Sequence, residues 1–270
     1  MSDGLSSNVL LPSICSSTCL TLLVPRGLKT AVTEYEWGSD DVKLYTNFIF
    51  EVSAAYARTD EVLHDCGLGG AVPSSTSFYK PARKRDMLRR NVDFFESTSA
   101  FVLPSQYPKS ANAMFDSMRQ VHSQNPQRRL FETVEDLSNT IAVKFGTNFH
   151  YAVGRVLPLA LILVMHRFVE PGRTVLVWRS LIQGDGDFAG AFLDTIGWCV
   201  LRPTVLGGVD STDVRTCINL VPTQIRPRKE LEGGHSTVNI DVFTEAVVHS
   251  AKQDKLELAR LMQELLLEQK

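Results

Sequence analysis

Residues 167–203 read RFVEPGRTVLVWRSLIQGDGDFAGAFLDTIGWCVLRP, and this stretch decides the fold. Glu170-Pro171-Gly172-Arg173 has the turn chemistry that joins two antiparallel strands, with proline presetting φ and glycine accepting a positive one. A strand therefore ends near Phe168 and another runs over Thr174–Ile182. The run Gly184–Gly190 breaks it with a glycine–acidic loop, and a third strand leads to Pro203. A further apolar run, Val214–Val221, follows. The chain closes on a long amphipathic helix over about Asp241–Glu268, in which Phe243, Val247, Leu258, Leu261, Met262 and Leu265 fall near one stripe. Asn239 or Asp241 can cap its start, and Glu245 sits in its first turn.

Upstream, Asn139–Phe149 alternates. Ile141, Val143, Phe145 and Phe149 share one face, while Thr140, Lys144 and Asn148 share the other. A period of two with one wet face predicts an antiparallel sheet packed on one side. Val153–Phe168 is apolar on both faces, and its β-branched residues and Pro158 favour a strand over a helix. Val42–Cys66 carries the three- and four-residue spacing of a helix, stopped by Gly67, Gly69 and Gly70. Asp93–Leu103 reads as a strand, stopped by Pro104 and Pro108, and Ala111–Val121 as a short helix. Helices segregated to one face of an antiparallel sheet make an α+β fold. A curved antiparallel sheet wrapped around a long C-terminal helix is the helix-grip architecture.

Residues 1–40 are rich in Ser and Thr and lack a sustained period, so they read as a poorly ordered leader before one domain over residues 41–270. About 68–91 reads as a linker. It carries KPARKRDMLRR, a basic run that suits a solvated linker, an import signal or a patch for anionic membrane or nucleic acid. No aromatic residues interleave it as a base-stacking platform needs.

Composition bounds the function. Hydrophobic residues are 44% of the chain, charged residues 21% and the net charge is −2, enough for a large core and no global signal for a polyanion. The five cysteines, Cys15, Cys19, Cys66, Cys199 and Cys217, form neither a disulfide framework nor a zinc pattern. No secretory signal and no apolar run long enough to span a bilayer is present, since Val156–Met165 is short and contains Pro158. The expected setting is cytoplasmic, with the nucleus left open by the basic run.

Enzyme signatures are missing. There is no G-x-S-x-G elbow, no H-E-x-x-H and no phosphate loop. GDGDFAG at 184–190 does not fit a dinucleotide fingerprint. It also lacks the third acidic ligand and the closing Glu of a calcium loop. The six histidines form no close pair, and His166 reads as a hydrogen-bonded structural residue or one on the outer face of the sheet. No metal and no cofactor are expected.

Several peptides together resemble the START-like family expanded in oomycetes, some of whose members are called mating-specific. They are TDEVLHDCGL, KPARKRD, FFESTSAF, NTIAVKF, MHRFVEPGRTVLVWRSL, GDGDFAGAFLDTIGWCVLRP and LARLMQELLLE. The resemblance spans roughly Tyr45–Lys270, and VLVWRSL and GWCVLRP are its most specific parts. It implies a deep cavity for a lipid or another apolar ligand. Resembling chains often carry a basic, leucine-rich coil ahead of this domain. Residues 1–40 are neither basic nor heptad-patterned, so the resemblance supplies no argument for a transcription-factor role here, and whether the N-terminus is truncated or replaced relative to those chains stays open.

On that reading the ligand-lining residues are Ile141, Val143, Phe145, Leu176, Trp178, Trp198, Ile218, Leu220, Phe243, Val247 and Leu258. A solid core uses the same residue types, so cavity and core both stay open. Arg179 and Arg215 are the polar candidates. Either one reaches a ligand's polar head, or it lies on the solvent face, where alternation opposite Val214, Ile218 and Leu220 places Arg215. The function expected is non-enzymatic binding of an apolar ligand. The alternative is a ligand-free protein-interaction or nuclear regulatory module on the same fold.

Overall fold

The computed structural model describes residues 39–70, 82–86, 92–124, 128–131, 136–152 and 155–224, and residues 240–245, 247, 261, 262, 264 and 266 nearer the C-terminus. Most of the sequence-derived leader, residues 1–38, lies outside the described residues. The chain runs α1 (Ser39–Tyr56), α2 (Thr59–Asp65), β1 (Ala82–Asp86), β2 (Val92–Leu103), α3 (Tyr107–Ser123), β3 (Arg128–Leu130), β4 (Thr140–Ala152), β5 (Arg155–Glu170), β6 (Arg173–Gly184), β7 (Ala191–Leu206) and β8 (Val209–Gln224). The described residues among 240–247 and 261–266 are helical.

The strands form one curved antiparallel sheet in the order β1-β2-β8-β7-β6-β5-β4-β3, and the fold is α+β of the helix-grip kind. Strands β4 to β8 are joined consecutively by hairpins, as the 167–203 stretch predicts. Gly172 takes φ 82° in the β5–β6 turn, the left-handed region where a side chain is strained. The β7–β8 hairpin turns on Gly207 and Gly208, both at positive φ.

Alternation assigns the two faces. The inner face carries Ile141, Val143 and Phe145 of β4, the odd-numbered residues Leu157 to Met165 of β5, Leu176, Trp178 and Ile182 of β6, Leu193, Cys199 and Leu201 of β7, and Val214, Ile218 and Leu220 of β8. Met114, Phe115 and Met118 of α3 pack on it, as do Phe243, Val247 and Met262 of the C-terminal helical residues. At one end, α3 is tied to the sheet region by Tyr107 Oη and Thr174 Oγ1 at 2.9 Å and by Thr212 Oγ1 donating to Ser105 O at 2.7 Å.

The outer face is covered as well. Val52 and Ala55 of α1 and Leu63 of α2 pack on Val175, Val177, Trp198 and Val200. Tyr45 and Phe48 pack on Ala142, Ile162 and Val164. This explains why β5 is apolar on both sides: its odd residues meet the inner core and its even residues meet α1. Lys144 to Asp41, Arg179 to Glu51 and Arg173 to Asp60, each at 2.5 Å, pin the same two helices to the sheet.

Three sequence expectations change. The helix expected over 42–66 is broken at Ala57 and Arg58. The break follows from competition for carbonyls: Trp198 Nε1 donates to Ala55 O at 3.0 Å, Arg58 N–H bonds the same oxygen, and Thr59 Oγ1 donates to Tyr56 O at 2.7 Å. The stretch expected to be linker contains β1, which pairs with β2 from Ala82↔Glu96 to Asp86↔Val92. The helix expected from Ala111 starts four residues earlier, with Pro108 in its first turn, where a missing N–H costs nothing.

Candidate functional site

The inner face is the candidate site, and its geometry follows from register. One row across the sheet runs Ser97↔Ile218↔Gly197↔Trp178↔Met165↔Ile141. The next row runs Phe95↔Leu220↔Thr195↔Ser180↔Leu163↔Val143. Directly opposed residues stand about 4.5–5.5 Å apart between Cβ atoms. These rows bring together Ile141, Val143, Trp178, Ile218 and Leu220 of the expected lining. Phe145 and Leu176 flank them, and Phe243 and Val247 belong to the same buried cluster.

Gly197 sets the shape of this floor. A Cβ there would lie 2.1 Å from Trp178 Cζ2 and 2.3 Å from Cε2. The indole therefore lies flat across β7, in the space that any larger residue would fill. Gly184 does the same at the edge, where a Cβ would fall 2.9 Å from Phe243 Cε2. Beside it the acidic loop is a single 3-10 turn, Gly186–Phe188, with the Asp185 carboxylate accepting from Gly186 N at 2.7 Å. The turn buries Phe188 with its ring centroid 5.9 Å from that of Phe243.

Not every expected lining residue belongs here. Trp198 is buried, but it pairs with Val177 on the outer face and packs with Val52, Ala55 and Leu63. It does not line the inner face with Trp178, because the two differ by one register step and a pleat flips the side chain with each step. Leu258 lies outside the described residues.

Arg179 and Arg215 are both outer-face residues, and neither is a solvated one. Arg179 bridges Glu51 and Asp194 with its guanidinium 5.5 Å from the Phe48 ring centroid. Arg215 is 7% exposed. Its Nε donates to Asp213 Oδ2 at 2.8 Å, and its Nη1 donates to the carbonyls of Leu68 and Gly70, tying the exit of α2 to β8. Burial of this face by α1 and α2 converts both arginines from head-group candidates into staples between helix and sheet. His166 is on the outer face too, with Nδ1 2.8 Å from Thr140 Oγ1.

Sequence reasoning missed the polar side chains of the inner face. Ser97 Oγ, Ser99 Oγ, Trp178 Nε1, Ser180 Oγ and Thr195 Oγ1 are all buried and have no hydrogen-bond partner. A few such atoms occur in any domain, and each costs about 1–3 kcal/mol. Here these five fall in adjoining rows of one face, while Arg119 Nε, Glu170 Oε1 and Asp213 Oδ1 lie elsewhere. The alternation pattern held the signal, since Ser97, Ser180 and Thr195 share parity with apolar inner-face neighbours on their own strands.

His122 of α3 closes one end of the face. Its ring is fully buried, 5.9 Å from the Phe145 centroid, and Nδ1 accepts from Arg128 Nη1 at 2.6 Å. Burial, and then the Arg128 charge, hold this imidazole well below the ordinary histidine range. The unfolded chain takes up a proton near pH ~6.5 that the folded chain refuses. Stability from this group is therefore fully present above that pH and falls as the pH drops below it, by at most about 1.4 kcal/mol per pH unit. Denaturant melts from pH 7 to 5 should show a steeper loss for the parent than for His122→Gln. Parallel slopes would contradict the assignment.

Among the described residues no group of three His, Cys, Asp or Glu side chains could hold a metal ion, and no helix is long and apolar enough to cross a membrane. No protein-family model and no curated protein matches the chain. Solved structures do resemble it. The chain is similar to human STARD10, with 7% identity over 90% of this chain and 84% of that one at a TM-score of 0.39. It is similar to the Zhui aromatase/cyclase from Streptomyces sp. R1128, with 13% identity over 64% and 93% of the two chains at 0.38. It is also similar to the human StarD13 lipid transfer and protein localization domain, with 11% identity over 65% and 89% at 0.32. At that distance none of them carries a ligand or an activity across to this chain.

Proposed function

We propose that this protein is a non-enzymatic binder of a lipid or similarly apolar small molecule. The ligand is held between the inner face of the sheet and the C-terminal helical residues. The observation that supports the reading most is the pairing of two features on one face. An apolar wall of Ile141, Val143, Phe145, Leu176, Phe243 and Val247 surrounds buried polar atoms that have no partner within the protein. A core built only for packing gains nothing from such atoms. A ligand would bind by removing apolar area from water, at about 25 cal/mol per Å² before the losses of association.

Affiliation with the START-like group of oomycetes rests on the peptides quoted above. A cytoplasmic or nuclear setting belongs to the same proposal. The second reading is a ligand-free interaction module, and close packing favours it: Leu163, Leu176 and Phe243 are completely buried.

Native mass spectrometry after incubation with a total lipid extract separates the two. The ligand-binding reading predicts a bound apolar species that is lost in Val247→Trp, where a larger side chain on a residue only 3% exposed fills the space next to the wall. A parent that stays bare in every extract, or a Trp variant that loads as well as the parent, contradicts it.

A further inference from the structure

Resting on that ligand-binding reading, we infer that the ligand is a neutral molecule with a hydroxyl or carbonyl group, seated on a floor made by Trp178, Ser180, Thr195 and Ser97. The two central rows of the inner face carry one indole N–H and three hydroxyls, all buried and all without a hydrogen-bond partner. The indole N–H can only donate, while each hydroxyl donates and accepts. A hydroxyl or carbonyl oxygen accepts from Trp178 Nε1, and a ligand hydroxyl also donates to Ser180 Oγ or Thr195 Oγ1. Ser180 and Thr195 are directly opposed in the register, and Trp178 is the next inner-face residue along β6 from Ser180. One oxygen can therefore meet more than one of these groups.

The same rows exclude an anion. From Ser97 to Ile141 and from Phe95 to Val143 no residue is charged. Arg179 and Arg215 point to the opposite face, where they are engaged by Glu51, Asp194 and Asp213. Arg128 does reach the inner face, over the Phe145 ring, but it sits on the edge strand β3, three strands from Ser180, where its Nη1 donates to His122 Nδ1. A phosphate or carboxylate pressed against this floor would lose its hydration and gain no counter-charge. A neutral oxygen loses less and satisfies atoms that the unliganded protein leaves unmet. A site built to hydrogen-bond an oxygen also rejects the analogue that lacks it, because its own buried groups then stay unpaired.

The test uses three fluorescent probes of one shape: 2-naphthol, 2-methylnaphthalene and 2-naphthoate. The full chain should bind 2-naphthol about tenfold more tightly than either of the others. Ser180→Ala/Thr195→Val should bring 2-naphthol down to the level of 2-methylnaphthalene and leave 2-methylnaphthalene unchanged or tighter. Its melting temperature should equal or exceed the parent's, because two unmet hydroxyls are gone, and this reports folding independently of binding. Trp178→Phe, which keeps a ring over Gly197, should weaken 2-naphthol selectively as well. Equal binding of naphthol and methylnaphthalene by the parent overturns the inference while leaving the apolar-ligand reading standing. So does tighter binding of naphthoate, or a variant that weakens all three probes alike. If none of the probes binds, this inference fails, and the lipid-extract experiment decides the ligand-binding reading.

Discussion

Gly197→Val is expected to be the most damaging single substitution on the inner face. The added Cβ would sit 2.1 Å from Trp178 Cζ2, well inside van der Waals contact with an aromatic ring rather than with a flexible chain end. The indole is 2% exposed, with the core cluster packed around it. It cannot swing aside without displacing those neighbours, and overpacked cores of this kind cost roughly 1–3 kcal/mol and occasionally more. With the ring held by Gly197 beneath and the core around it, we expect the upper end, ~3 kcal/mol, and a fall in melting temperature of about 6–12 °C. The double variant Gly197→Val/Trp178→Leu should recover part of that loss, because the clash and the ring depart together. Equal melting temperatures for the parent and Gly197→Val would mean that the indole does not lie over this glycine.

Arg215→Met tests the other face. The substitution removes the partner of the buried Asp213 carboxylate and strands the carbonyls of Leu68 and Gly70, which accept from the same guanidinium. Breaking one half of a buried ion pair costs about 3–5 kcal/mol, whereas replacing both halves with apolar groups is often close to neutral. Chemical denaturation should therefore show a large loss for Arg215→Met and a substantial recovery in Arg215→Met/Asp213→Leu. A double variant as unstable as the single one would show that the carbonyl contacts, and not the Asp213 pair, carry the effect.

The inner half of the fold was legible in the sequence because one face of each strand is uniform. Ile141, Val143 and Phe145 in β4, and Val214, Ile218 and Leu220 in β8, repeat with a period of two, and they all arrive on the inner face. The β5–β6 turn was legible because Pro171-Gly172 leaves few alternatives. The outer layer was not read. Its signal was present in the two-sided apolar character of β5 and in Trp198 and Val200, which share a parity opposite to that of Leu193 and Cys199. Without knowing that α1 and α2 cover that face, a second buried surface on the sheet has no claimant. That is why the sequence sets Trp198 beside Trp178 and leaves Arg215 between a ligand's polar head and the solvent face.

The polar floor was illegible for a different reason. Ser97, Ser180 and Thr195 are unremarkable residues in strands, and only the register sets them in adjoining rows. Cross-strand pairing across β2, β8, β7 and β6 is long-range information. The break between α1 and α2 is similar, since it depends on an indole 143 residues away in sequence bonding to the Ala55 carbonyl.

The account's central claim is that a ligand sits on the inner face, and the two buried tryptophans allow a direct measurement. The chain has three tryptophans, Trp37, Trp178 and Trp198. One protein keeps only Trp178, through Trp37→Phe and Trp198→Phe. A second keeps only Trp198, through Trp37→Phe and Trp178→Phe. Each is titrated with 2-bromo-1-undecanol, whose bromine, on the carbon next to the one that bears the hydroxyl, quenches indole fluorescence on close contact. The account predicts saturable quenching of the Trp178 protein and an unchanged signal from the Trp198 protein, which looks out onto α1. Quenching of Trp198 alone, or saturable quenching of neither, would contradict it.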